Sequence, residues 1–123
     1  MSRQIKFRAW EKNLKEIIPV YNINFETKMM NCNGYPWRCL DEIELMQYTG
    51  LHDTNGKEIY EGDIVSIRFF DEQLETMTVV WSEEAYGFRF RCEHNGLYHV
   101  SNTRMHVIGN IYENPELIQE DKQ

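Results

Sequence analysis

Four groups of residues have the types and spacing to do chemistry. Cys92, His94 and His99 form the densest metal-type cluster, written C-x-H-x4-H, and Cys32-x6-Cys39 could supplement it. Zinc takes about four ligands in a tetrahedron, and this spacing matches none of the usual knuckle patterns. Cys92 and His99 are also the pair to test as nucleophile and base. A reactive thiolate needs an electropositive, partly exposed setting and an orienting partner. No third residue and no glycine-rich oxyanion loop accompanies the pair. Glu58, Glu61 and Asp63 crowd a short run where two carboxylates could share acid and base roles. Turn hydrogen bonding and solvation are the plainer account of them. Neither Gly50-Leu51 nor Gly62-Asp63 continues into a phosphate or dinucleotide fingerprint. From these patterns no catalytic residue, no metal ligand and no cofactor is expected, and the chain reads as a non-enzyme.

The fourth group is basic. Lys6, Arg8 and Trp10 alternate on one predicted strand, and Arg89 and Arg91 lie near Tyr86 on another. Small barrels bind nucleic acid through such surfaces. The net charge of −7, from 13 Lys+Arg against 20 Asp+Glu, repels a phosphate backbone unless the bases segregate onto one face. Salt bridges to acids on adjacent strands are the plainer reading of these residues. The acids cluster at Asp41–Glu44, Glu58–Asp63, Asp71–Glu75 and Glu113–Asp121, as solvated surface does.

The elements that position these groups are strands. Ile5, Phe7 and Ala9 alternate with Lys6, Arg8 and Trp10, a period of two. Glu11–Lys15 reads as a turn and Ile17–Phe25 as the returning strand, with Tyr21, Ile23 and Phe25 on its buried face. Pro19 places that strand at an edge or marks its start. Thr27–Arg38 reads as irregular, broken by Asn33-Gly34 and Pro36. Asp41–Tyr48 reads as a strand with Ile43 and Leu45 inward, the alternative being a short helix capped by Asp41. Asn55-Gly56 predicts a tight turn with positive φ. Gly62-Asp63 turns the chain into Ile64–Phe70, where Val65, Ile67 and Phe69 share a face. Gly62 would supply an unusual backbone angle, and Asp63 would accept from turn amides. Asp71–Leu74 connects to strands at Thr76–Trp81 and Phe88–Cys92. Asn95-Gly96 predicts a hairpin returning through Leu97–Val100, and Met105–Tyr112 is the last strand. Asn114-Pro115-Glu116 predicts an N-cap, a first-position proline and an acid in a single helical turn.

A chain of 123 residues suits one compact domain, or one domain with an N-terminal appendage. Three cysteines, an odd number, fit a reducing compartment better than a disulfide framework. Each reads as a small, partly buried apolar residue. No apolar run reaches the roughly 18 residues of a membrane span, and MSRQIKFRAW has no signal-peptide core. Trp10, Trp37 and Trp81 are not all easily buried in so small a protein.

Three blocks carry a resemblance to a known family. They are Ile5-Lys6-Phe7-Arg8-Ala9-Trp10, then Met46–Leu51 with Asp53, Asn55-Gly56-Lys57 and Ile59–Val65, and finally Val107–Leu117. In these blocks the chain resembles the YopX family of phage and prophage proteins. The resemblance implies a bacteriophage or prophage origin and carries no catalytic residues with it.

The expectation is a mainly β fold. Residues 1–47 would form an N-terminal β-hairpin and irregular segment. Residues 48–123 would form a small SH3-like β-barrel with a short C-terminal helical turn. Gly50, Asn55, Gly56, Gly62 and Asp63 are expected to be structural. Lys6, Arg8, Trp10, Arg89 and Arg91 are the expected binding surface. The expected function is that of a phage or prophage accessory protein, a non-enzymatic interaction or self-assembly module in the bacterial cytoplasm. Its expected partners are a second copy of the chain and a host or phage protein, with no membrane. A nucleic-acid-binding accessory protein using Arg8, Arg89 and Arg91 is the alternative.

Overall fold

The apolar alternation of the N-terminus becomes a hairpin. Phe7–Glu11 (β1) pairs antiparallel with Glu16–Pro19 (β2). The computed structural model describes residues 4–32, 36–68, 74–92, 96–98 and 104–118. Strands account for 62% and helical turns for 6% of the described residues, so the chain is mainly β. It divides into two units, Met1–Tyr48 and Thr49–Gln123.

In the first unit β1 is central. It pairs on its other side with the first half of Ile43–His52, which is β6. Pro19 sits on the outer strand β2, where its missing N–H costs no ladder bond. A second, three-stranded sheet joins Asn22–Asn24 (β3), Met29–Asn31 (β4) and Arg38–Cys39 (β5). Ala9, Ile18, Met30, Cys32 and Ile43 form the core of this unit. A fully buried side chain such as Ile18 or Met30 stabilises by roughly 1.5–3 kcal/mol.

Two expectations change here. The returning strand stops at Pro19 rather than running to Phe25. Tyr21 is 62% and Phe25 68% exposed, and only Ile23 packs on the core. The cause is an Asx turn: the Asn24 side-chain oxygen accepts the Glu26 and Thr27 amides at 2.9 and 3.0 Å. That turn takes Phe25 out of the strand. The segment expected to be irregular contains β4, because Met30 alternates into the core. Asn33-Gly34 lies outside the described residues. A short 3-10 turn, Leu40–Glu42, precedes β6, which then runs as a strand with Ile43 buried and Leu45 packed on the core.

In the second unit β6 continues beside Glu58–Tyr60 (β7). Five further strands follow: Asp63–Arg68 (β8), Leu74–Ser82 (β9), Gly87–Cys92 (β10), Gly96–Tyr98 (β11) and Arg104–Asn110 (β12). Their order is β11-β10-β9-β8-β12. The last strand therefore returns to lie beside the first of the five. The pairings among the described residues give a curled antiparallel half-barrel; closure into an SH3-like barrel is not among them. Val65, Ile67, Met77, Val79, Phe90 and Met105 build the core with Ile59 and Cys92. Phe69 and Asp71 to Gln73 lie outside the described residues, as do Asn95, His99 and Val100.

The chain's end differs in detail. A 3-10 turn covers Pro115–Leu117 as expected, but the Asn114 side chain does not cap it. Asn114 Oδ1 accepts the Asn110 amide at 3.2 Å instead. Asn110 does the turn-making, its side-chain oxygen accepting the Tyr112 and Glu113 amides at 3.0 and 2.8 Å. Gly109, just after a bulge in β12, lets Asn114 come this close: a Cβ there would stand 2.5 Å from Asn114 Oδ1.

Candidate functional site

The glycine- and acid-rich run from Met46 to Val65 is a framework. Gly50, Gly56 and Gly62 all take positive φ. At Gly62 the angle is +92° in a buried residue whose amide donates to Val79 O and whose carbonyl accepts from the Ile111 amide. A side chain there would be strained whatever the space. Of Asn55 and Gly56, only Gly56 has positive φ. The turn closes as Asp53 O accepting the Gly56 amide at 2.9 Å, with Asp in first and Gly in fourth place, rather than as the expected two-residue loop.

Asp53 holds this turn. Its Oδ1 accepts the Asn55 and Lys57 amides at 2.9 Å each, and its Oδ2 accepts the Val107 amide at 3.0 Å. Burial raises its pKa, but these three hydrogen bonds and the nearby His106 outweigh burial and hold it below the ordinary value. Sequence reading left Asp53 among the family-like residues without a role; the D-x-N-G-K spacing is the signal for it. Asp63, 1% exposed, accepts the Tyr60 amide through Oδ2 at 2.8 Å. Glu58 accepts the Tyr60 hydroxyl at 3.0 Å. Asp63 and Glu58 are thus engaged in shaping β7 and the turn that follows it.

The thiols are dispersed. Cys92 is buried on the core face, with its Sγ 3.5 Å from Glu75 Oε1. Its suggested partners His94 and His99 lie outside the described residues. Cys32 is buried, and burial pushes its thiol pKa up, which disfavours the thiolate. Cys39, expected to be partly buried, is exposed, because β5 is the outer strand of its sheet. Among the described residues no three His, Cys, Asp or Glu side chains come together as a metal site. No helix among them is long and apolar enough to cross a membrane.

The expected basic surface falls into two parts. Lys6, Arg8 and Trp10 are half-buried in the first unit. Lys6 Nζ stands 5.5 Å from the centre of the Tyr48 ring, a cation–π contact. Arg89 and Arg91 belong to the second unit. On β10 they alternate with Phe88, Phe90 and Cys92, so they point away from the core. The Arg89 guanidinium donates to its neighbour Phe88 O at 2.7 Å, and Arg91 is exposed.

Register brings in residues that sequence reading missed. Arg68 on β8 pairs directly with Arg104 on β12, and Ser66 pairs with His106. Val65, Ile67 and Met105 fill the core between them, so these four side chains share the non-core face. Arg89 and Arg91 share that face, since they pair with Val80 and Thr78 of β9 while Phe90 pairs with the core Val79. A cleft of about 420 Å³ opens on it, lined by Ser66, Arg68, Leu74, Arg104, His106 and Ile108. Arg91 lies two strands away from Arg68, about 10 Å sideways and more along the strands. Buried Ile64 and Thr78 continue the row of Arg91, and exposed Thr76 lies on the diagonal between the two arginines. The missed signal was the alternation Ser66-Ile67-Arg68 and Arg104-Met105-His106 in two strands that pair only through the fold.

A family model described as YopX protein matches residues 6–119. The chain belongs to the YopX family. The matched span takes in both units of this YopX chain, with Asp53, the cleft and the Gly109–Asn114 contact inside it. The fold is also similar to the crystal structure of protein EF1440 from Enterococcus faecalis. The two are 27% identical, the match covers 96% of this chain and 100% of that one, and the TM-score is 0.70. No curated protein matches the chain. YopX membership assigns no role to any residue, and the framework and the arginine face both lie inside the matched span.

Proposed function

We propose that this YopX protein is a non-enzymatic accessory module that works by binding, and that the non-core face of its second unit is the contact surface. One observation carries the reading. Residues 49–123 contain 14 Asp+Glu and 6 Lys+Arg. Yet all four arginines of that segment, Arg68, Arg89, Arg91 and Arg104, sit on one face of the sheet. No described strand position on that face is acidic. Segregation of this kind directs an acidic protein toward an acidic partner surface.

The abundant acids elsewhere in the same unit make a second copy the first partner of this reading, with a host or phage protein as the other. A phage or prophage setting in the bacterial cytoplasm belongs to the same proposal, as the family resemblance implies. Light scattering over a salt series tests it. The wild type should exceed the 14.8 kDa chain mass at low salt and fall toward it as salt rises. The pair Arg68→Glu and Arg104→Glu should remain at the chain mass throughout. A wild type that is monomeric at every salt concentration sets self-assembly aside.

The same face supports a second reading, nucleic-acid binding, now through Arg68, Arg91 and Arg104 rather than Arg8, Arg89 and Arg91. Charge segregation favours it; the described strand positions of the face carry no aromatic side chain for base stacking, which weakens it. Its test is the salt slope of single-strand binding before and after arginine reversal.

A further inference from the structure

We propose that the cleft between β8 and β12 is a binding site for a phosphate monoester. The site deepens the reading of the arginine face as a binding surface and rests on it.

The register is the first argument. Arg68 and Arg104 are direct cross-strand partners, and like charges in that relation repel. A dianion placed between them removes the repulsion. Both arginines also interact with neighbouring groups of the protein.

Donor chemistry is the second argument. Each guanidinium presents N–H groups in a planar fork that matches phosphate oxygens in pairs. The next cross-strand pair in the cleft, Ser66 and His106, adds a hydroxyl donor and an imidazole. A phosphate monoester carries about −1.5 to −2 charges near neutrality and three terminal oxygens. A carboxylate offers a single charge and two oxygens, too little for two guanidiniums and an imidazole.

Size is the third argument. At about 420 Å³ the cleft falls in the range of roughly 300–1,000 Å³ that small-molecule sites occupy. That is more room than a phosphate group needs. Leu74 and Ile108 supply apolar wall beside the basic groups, so a compact organic group carried by the phosphate lies against them. The phosphate belongs either to a free small ester or to the 5′ end of a nucleic-acid strand.

Titration calorimetry with the full chain tests this, using inorganic phosphate, a nucleoside 5′-monophosphate and the unphosphorylated nucleoside as probes. Saturable binding of the monophosphate, stronger than that of phosphate and absent for the nucleoside, is the expected result. Arg68→Gln and Arg104→Gln should each weaken it about tenfold or more. Arg91→Gln, on the same face outside the cleft, should leave it unchanged. Equal loss in Arg91→Gln, or no monophosphate binding at all, overturns the site. Paired oligonucleotides with a 5′-phosphate or a 5′-hydroxyl decide the source: a preference for the phosphorylated strand over the free monophosphate assigns the strand end, and the reverse assigns the small ester. Should the arginine variants not fold, the wild type alone suffices. Monophosphate should shift the His106 ring resonances and leave those of His52 in place; the opposite pattern rejects the site. Salt-sensitive self-association without monophosphate binding removes this site while sparing the contact face. Loss of both removes the face as well.

Discussion

Asp53 and Val107 are 54 residues apart in the chain, yet the carboxylate Oδ2 of one accepts the amide of the other at 3.0 Å. The same carboxylate closes the Asp53–Gly56 turn with its other oxygen. One side chain thus ties the loop after β6 to the middle of β12. Next to it the Thr54 amide donates to Met105 O at 2.9 Å, and Thr54 Oγ1 accepts the Met105 amide at 3.1 Å. Residues 105–107, which carry His106 to the cleft, are therefore fixed from a loop on their far side.

Replacing Asp53 should show how much that tie is worth. Asp53→Ala leaves three amides without their acceptor and should cost roughly 2–3 kcal/mol, since hydrogen bonds to charged groups contribute about that much. A fall in the urea midpoint with an unchanged slope is the expected observation. A midpoint within error of wild type would show that the tie is dispensable.

Acid should weaken both units, and the sign follows from two carboxyls. In Glu11 the Leu14 amide is the strongest influence and lowers the pKa. Burial opposes it, and Arg38 and the Asn13 amide add to the lowering. The Glu11 Oε2 to Arg38 Nε distance is 2.7 Å. Asp53 is also held below its ordinary value, its three amides and His106 overcoming burial. A carboxyl lowered in the folded state contributes stability that is present above its unfolded value and lost as pH falls through the folded one. The ordinary values are 4.5 for Glu11 and 3.8 for Asp53, so the loss begins near them and deepens below. Thermal melts from pH 6 down to 2, about the span over which such carboxyls titrate, should fall steeply for the wild type. Glu11→Gln and Asp53→Asn should each flatten the curve while lowering its neutral plateau.

Gly109 and Asn114 should behave as one unit. Gly109→Ala drives Asn114 off the Asn110 amide and should cost about 1–2 kcal/mol. Asn114→Ala removes the obstacle, so the double variant should cost less than the sum of the singles by about 1 kcal/mol. Strict additivity in denaturant titrations would disprove the coupling.

Thiol labelling should separate the three cysteines. Cys39 is exposed, whereas Cys32 and Cys92 are buried. A disulfide reagent should modify one thiol quickly in the native protein and the others only on unfolding. Cys39→Ser should abolish the fast phase; fast labelling that survives it would contradict the burial pattern.

The sequence was most informative where local chemistry decides structure. Pro19 on an outer strand, Gly62 at positive φ, Asp63 on a turn amide and Val65 and Ile67 in the core are each written in a few adjacent residues. Failures came where one local signal overrides another, and where distant segments decide. Phe25 continues an apolar alternation on paper, yet Asn24 captures the next two amides and turns it outward. Asn114 has the type and position of an N-cap, but the bulge before Gly109 offers it a different amide. The cleft was the least legible part of all. Arg68 and Arg104 are unremarkable in their own strands and become a site only when β12 returns to β8.

That return has a consequence during synthesis. β12 reaches β8 only after β9, β10 and β11 have been made, because its partner lies at the start of the five-strand sheet. Until then β8 has a neighbour on one side and a bare row of amides and carbonyls on the other. Asp53 meanwhile waits for the Val107 amide. Long-range closure is the slow part of building such a sheet, and a bare edge is a template for the nearest chain. A polypeptide stalled before Arg104 would present β8 to its neighbours on the same message, so the late-made strand β12 is the one that keeps this protein from pairing with the wrong strand.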